Sequence, residues 1–189
     1  MLKDILIKTA QLINRDDIYN SIKQVEKIDS IENISIQNDV IKMKTFYNFV
    51  VSTIYENYLD LLFTEKITSD SEKKIHYYKL SFTPLEIISI TNEDNKYIPH
   101  NLQSTYFTTP ASYTTYEVTY KIKPEEVNDL CDKTMLPKEL NKNIICYALA
   151  SEYLASKNLY DQSEYFKNKY LYEIFKQKTK KERRLKSTF

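Results

Sequence analysis

Apolar residues in the last third of the chain recur at helical steps. Between Pro137 and Lys157, the residues Leu140, Ile144, Tyr147, Ala148, Ser151, Leu154 and Ala155 fall three or four apart, which places them on one helix face. Pro137 suits a first helical position, because its missing N–H would be orphaned there and its φ is already helical. The pattern predicts a helix over 137–157, a break near Asn158 and a second helix over 161–177 carrying Phe166, Tyr170 and Ile174, flanked by Leu171 and Tyr172. Asp161 offers an N-cap carboxylate, with Glu164 three positions on as the partner of a capping-box-like pair. Helices joined by so few residues lie antiparallel. The small Ala148, Ala150, Ser151 and Ala155 would let the aromatic face of the second helix come close.

Elsewhere the period changes along the chain. Leu2, Ile5, Leu6, Thr9, Leu12 and Ile13 against Lys3, Asp4, Lys8 and Gln11 predict an amphipathic helix over 2–14, ended by Asn14 and Asp16–Asp17. Residues 18–36 read either way, as a turn or two of helix through Ile18, Ile22 and Val25 or as a connector. Asn38 or Asp39 stands as an Asx cap before a long helix over 38–60, with Val40, Met43, Tyr47, Val50, Ile54, Tyr58 and Leu62 on an apolar stripe that Phe46, Val51 and Tyr55 widen.

Strands follow at about 61–67, 75–80, 85–91 and 113–122, the first two forming a hairpin around a polar turn. LEIISIT (85–91) and YTTYEVTYKI (113–122) alternate and are rich in β-branched and aromatic residues. NEDNK (92–96) reads as a turn. Residues 97–113, with Pro99 and Pro110, read as an ordered loop holding a short helix near His100–Ser104. The whole is α+β, mostly α. One domain spans 1–178, with a small antiparallel sheet inserted between the long central helix and the C-terminal hairpin. Residues 179–189 form a basic arm.

Composition narrows the chemistry. The 189 residues suffice for one real core, and 42% hydrophobic with 28% charged is ordinary for a globular chain. The net charge of +1 gives no global pull toward nucleic acid or an acidic membrane. No run approaches the ~18 apolar residues of a membrane span. Lys3, Asp4 and Lys8 interrupt the N-terminal apolar stretch, so it does not read as a signal peptide, and synthesis is expected in the cytoplasm. Glycine is absent altogether. Every left-handed turn must therefore come from residues such as Asn or Asp. Phosphate-cradling loops, dinucleotide-binding turns and nucleophile elbows all rely on glycine, so those enzyme classes are disfavoured.

The reactive side chains form no constellation. Cys131 and Cys146 are too few for a disulfide framework and too far apart for a zinc pair, and Cys146 reads as a small core residue. His76 and His100 have no Cys, Asp or Glu at ligand spacing and read as structural or solvated histidines. No carboxylate pair stands out as acid and base. The 17 tyrosines, spread over helices and strands alike, read as amphipathic packing rather than stacking platforms. No catalytic residue, cofactor site or metal site is expected. The one charge concentration runs from Lys176 through Lys178, Lys180, Lys181, Arg183 and Arg184 to Lys186, against Glu182 alone. It reads equally as the solvated end of a helix or as an arm docking on an acidic protein or nucleic acid.

The run IICYALASEYLASKNLYDQSEYFKNKYLYEI (144–174) has an Ala-Leu-Ala-x-Glu-Tyr-Leu core, a short polar break and an Asp-started helix. With TPLEIISITNEDNKYIP (83–99) and YEVTYKIKPEEVNDLCDKTMLPKE (116–139), it resembles the head–tail connectors of tailed bacteriophages, adaptors of the podovirus tail-tubular type. The resemblance covers about Val40 to Lys178. It implies a structural virion protein at the head–tail junction, forming a ring of about twelve copies around the passing double-stranded DNA. The portal and another neck or tail ring would be its partners, with no membrane. It further implies a portal-docking arm at Lys178, Lys180, Lys181, Arg183, Arg184, Lys186 and Phe189. Two alternatives stay open: a non-enzymatic interaction module of helical-hairpin type, and a nucleic-acid-binding accessory protein acting through the basic tail.

Overall fold

The structure is a computed structural model that describes residues 1–68, 74–109, 115–134, 136 and 140–186, with 178–186 described by their backbone alone. The helices are α1 (Leu2–Leu12), α2 (Asp16–Gln24), α3 (Ile34–Asn57), α4 (Lys142–Ser156) and α5 (Tyr160–Lys186). The strands are β1 (Leu62–Thr68), β2 (Lys74–His76), β3 (Pro84–Thr91), β4 (Asn101–Leu102), β5 (Tyr106–Thr108) and β6 (Thr115–Ile122). The class is α+β, with helix in the majority at 51%. Where a single domain over 1–178 is expected, the chain divides into two compact units. The helical unit joins Met1–Leu59 to Glu125–Phe189, and the β unit is Asp60–Pro124, inserted between α3 and α4.

In the helical unit, α1 buries Leu2, Ile5, Leu6, Thr9 and Ala10 and ends at a left-handed Asn14 with φ 55°. Arg15 N–H then reaches back to the Ala10 carbonyl at 2.9 Å, which closes the helix and starts α2. The ambiguous 18–36 stretch thus resolves into the rest of α2, a 3₁₀ turn at Ile28–Ser30 and the start of α3. The same device ends α4, where Asn158 has φ 61° and Leu159 N–H bonds the Leu154 carbonyl at 3.0 Å. Asn95 at φ 60° serves the 92–96 turn, whose Asn92 side chain accepts from the N–H groups of Asp94 and Lys96 at 3.1 and 2.8 Å. Asn supplies all three left-handed positions among the described residues, as a chain without glycine requires.

Four of the helix boundaries differ from the sequence pattern in ways that matter for packing. The cap of α3 is Asn33, whose side-chain oxygen accepts from Ser35 and Ile36 N–H at 3.0 and 3.2 Å. Asn38 and Asp39 lie a turn inside the helix, and Asp39 is buried on the same stripe as Met43, Tyr47, Val50 and Ile54. α4 begins after Asn141, which accepts from Asn143 N–H at 3.0 Å, while the Pro137 start falls outside the described residues. Asp161 sits within the first turn of α5 instead of capping it, close enough to favour the helix dipole. That helix also runs past residue 177 to Lys186.

The buried Asp39 is held from three sides. Lys157 Nζ donates to its Oδ1 at 2.7 Å, and Arg15 and the Tyr153 hydroxyl both donate to its Oδ2 at 2.9 Å. Burial alone would raise the carboxyl's pKa. The bonds from Lys157, Tyr153 and Arg15 outweigh it and hold the group below the usual carboxylate range. Arg15 also forks onto Asp17 at 2.8 and 2.7 Å, the bond that most strongly keeps its guanidinium protonated. One carboxylate therefore ties together the start of α2, the first third of α3 and the end of α4.

The β unit has two three-stranded antiparallel sheets, ordered β1-β6-β3 and β2-β5-β4. The expected β1–β2 hairpin does not form. β1 pairs along its length with β6, from Leu62 opposite Lys121 to Thr68 opposite Thr115, and β2 pairs with β5. Local alternation marks strands but carries no information about distant partners. The expected helix near His100–Ser104 is replaced by the short β4 and β5, too brief to show a period. Residues 113–114 of the predicted last strand lie outside the described residues; from Thr115 on, β6 points Tyr116, Val118, Tyr120 and Ile122 into the core. Tyr120 donates to Glu65 at 2.5 Å, and Ser81 adds bonds from Oγ at 2.6 Å and N–H at 2.8 Å. Burial works against the Glu65 charge, yet the Ser81 and Tyr120 bonds keep its carboxyl below the usual range.

Candidate functional site

The helical hairpin is built around α4, which is buried on nearly every side and packs against α1, α3 and α5. Small residues set the spacing to α5: the buried Ser163 donates to the Ser151 carbonyl at 2.9 Å, its oxygen 3.2 Å from the Ser151 hydroxyl. α5 buries Ser163, Phe166 and Ile174 at steps that keep one face inward. Phe166 joins Ala150 and Leu154 in a core cluster, and Tyr147 and Leu12 pack beside it. The antiparallel hairpin thus forms, though only part of the aromatic content of α5 turns inward.

The outward side of α5 carries the rest. Tyr165, Lys169, Tyr172 and Lys176 follow one another at i, i+4, i+7 and i+11, one helix face alternating aromatic and basic. Tyr165 is 55% exposed, Tyr172 66% and the neighbouring Phe175 52%. Tyr165, Asn168, Lys169, Tyr172 and Glu173, with Tyr147 of α4, line an open groove of about 450 Å³. Lys169 Nζ stands 4.3 Å from the Tyr165 ring centroid and 5.6 Å from that of Tyr147, a cation held over two aromatic faces. The Tyr165 hydroxyl bonded to it keeps the Lys169 ammonium above the usual lysine range. Lys176 lies 5.6 Å from the Tyr172 ring and 3.9 Å from Glu173.

A second uncovered surface lies on α3. Ile34 is 72% exposed in its first turn, and Ile41, two turns on along the same side, is exposed as well. At the other end of α3, Tyr58 meets Tyr170 and Phe175 edge-on, with ring centroids at 6.3 and 6.0 Å. Ile34 and Tyr58 are therefore about 35 Å apart along the helix. The Ile34 surface and the α5 groove are separate, and they differ in character.

Among the described residues, no group of three His, Cys, Asp or Glu is placed to hold a metal ion. Asp39 has a donor on each oxygen and is structural. Cys146 is buried, its thiol directed at the Ile5 carbonyl 3.8 Å away. His76 stacks on Tyr78 at 5.2 Å, and His100 Nδ1 lies 3.2 Å from the Ile98 carbonyl oxygen. What the arrangement can do is hold a surface, through aromatic faces and exposed ammonium groups.

Of the residues singled out for a docking arm, Lys178, Lys180, Lys181, Arg183, Arg184 and Lys186 continue the α5 backbone, and their side chains are outside the described part. Phe189 lies outside the described residues entirely. The helix pattern marks Tyr147 and Tyr172 but not the groove they form with Tyr165 and Lys169, although the four-seven-eleven rhythm on α5 is legible in the sequence. Among the described residues, no helix is long and apolar enough to cross a membrane. No protein-family model matches the sequence, and no curated protein matches it.

Proposed function

We propose that this chain is a non-enzymatic structural protein of a tailed-phage virion, a head–tail adaptor forming a ring between the portal and the tail or neck. The observation that carries the reading is a pair of unlike, uncovered surfaces on one helical unit: the aromatic–lysine groove of α4 and α5, and the exposed Ile34 and Ile41 of α3. Unlike surfaces that meet head to tail generate a closed ring when the rotation between copies closes. Large side chains left more than half exposed mark interaction sites when they cluster. The inserted β unit is a separate compact body, suited to reaching a neighbouring ring while the helical unit makes the lateral contacts. That arrangement agrees with the resemblance of residues 40–178 to phage connectors.

Native mass spectrometry over a concentration series tests it. The wild-type chain is expected to give one closed species of about twelve copies. Ile34→Arg and Tyr172→Glu each spoil one surface and are expected to remain monomeric. Mixed together they should give one-to-one heterodimers and nothing larger, because each retains the surface the other lacks. A wild-type chain that stays monomeric throughout overturns the reading.

A further inference from the structure

The net charge of +1 conceals a strong division. Between Lys167 and Lys186 there are nine Lys and Arg against Glu173 and Glu182, a net of +7 that leaves −6 on the rest of the chain. α5 also outruns its partner. It has 27 residues to the 15 of α4, with three residues between the two helices, so its final twelve or so project about 18 Å beyond α4. Phe175, edge-on to Tyr58, sits where that projection begins.

The projecting part has no apolar side. From Lys176 to Lys186 only Leu185 is apolar, and at about 100° per residue the seven cationic positions leave no angular gap wider than about 80°. A helix laid in a protein groove or on a bilayer needs an apolar stripe, and this segment has none. Protein interfaces likewise draw on an apolar core. A uniformly cationic rod matches a polyanion, whose phosphates ask only for positive charge. Like charges at three- and four-residue steps, as at Lys176 and Lys180, weaken the helix by itself, and an anionic partner relieves that repulsion. Lys169 and Lys176, interleaved with Tyr165 and Tyr172, extend the same character back onto the hairpin.

We propose that the cationic end of α5, Lys176 to Lys186 with Lys169 behind it, binds the phosphate backbone of nucleic acid without reading its sequence. This differs from a portal-docking arm and does not depend on ring formation. A second copy or another acidic protein is the competing occupant.

Fluorescence anisotropy with two labelled 30-base-pair duplexes of unrelated sequence, titrated with the full chain between 50 and 200 mM salt, tests it. Both duplexes should bind equally, with a log–log salt slope of about −3 to −6 set by the number of neutralised phosphates. The full-length variant K180E/K181E/R183E/R184E should bind at least about 30-fold more weakly at the lower salt while unfolding at the wild-type temperature. A chain ending at Phe175 should bind no better than that variant. Absence of binding at 50 mM salt, or equal binding by the charge-reversed variant, overturns the proposal. So does displacement of the duplex by polyglutamate at equal charge concentration, which would assign the segment to an acidic protein surface.

Discussion

Asp39 and Lys157 stand 118 positions apart in the chain, and Lys157 Nζ donates to Asp39 Oδ1 at 2.7 Å. The pair joins the early part of α3 to the residue that caps α4, and Arg15 on the other carboxylate oxygen adds the α1–α2 junction. Helices that meet at one charge cannot slide independently, so the bond fixes where α4 presents Tyr147 to the groove.

Asp39→Asn leaves two cations facing an amide. It is expected to cost about 2–3 kcal/mol, less than for a fully buried pair because Arg15 and Lys157 keep contact with water. Urea unfolding followed by helical circular dichroism measures it. The sign with pH follows from the depressed carboxyl: the stabilisation is complete above about pH 4 and fades as pH falls through the lower folded value. Wild type and variant should therefore converge in strong acid. A gap as wide there as at neutrality would refute the assignment.

Asn33→Ala should lower stability by about 1 kcal/mol, since two N–H groups at the start of α3 lose their acceptor. Asn38→Ala, one turn further in and exposed, should change it by less than about 0.5 kcal/mol. Equal losses in thermal melts of the two variants would return the cap to Asn38.

The buried tyrosines should titrate late. Burial pushes Tyr47, Tyr55 and Tyr153 above the ordinary phenol range. A raised folded pKa means that their contribution is intact below about pH 10 and is lost as pH rises further. Tyrosinate absorbance is thus expected to show a late phase coinciding with loss of helical signal. A single early phase with the helices still intact would contradict the burial.

The sequence read well where structure is local. The hairpin of α4 and α5, the strands β3 and β6 with the alternation of β6, and the use of Asn in place of glycine all follow from spacing and backbone sterics, whereas register shifts in β3 bury Ile87 and Ile90 in place of a strict alternation. Pairing of β1 with β6 did not, because register between strands some fifty residues apart is settled by the shared core of Ile67, Tyr116, Val118 and Tyr120. Asn38 and Asp39 have the pattern of a cap because Asx residues before a periodic run usually are caps, yet Asp39 lies inside α3. Its place on the stripe of Met43, Tyr47 and Ile54 was the clue that it was buried and needed partners. The groove stayed hidden for another reason: a tyrosine has the same letter whether its ring is inside or out, and only the packing of Phe166 and Ile174 shows which face of α5 is left over.

The three left-handed asparagines, Asn14, Asn95 and Asn158, also bear on how the molecule ages. Asparagine degrades fastest when glycine follows it, because an unhindered next residue lets the backbone nitrogen attack the side-chain amide and close a succinimide ring. Here Arg15, Lys96 and Leu159 follow instead, and a chain with no glycine contains no such fast step anywhere. Peptide mapping after prolonged warm storage is expected to find these asparagines largely intact. Turn geometry that elsewhere invites a chemical clock is met in this chain by residues that run it slowly.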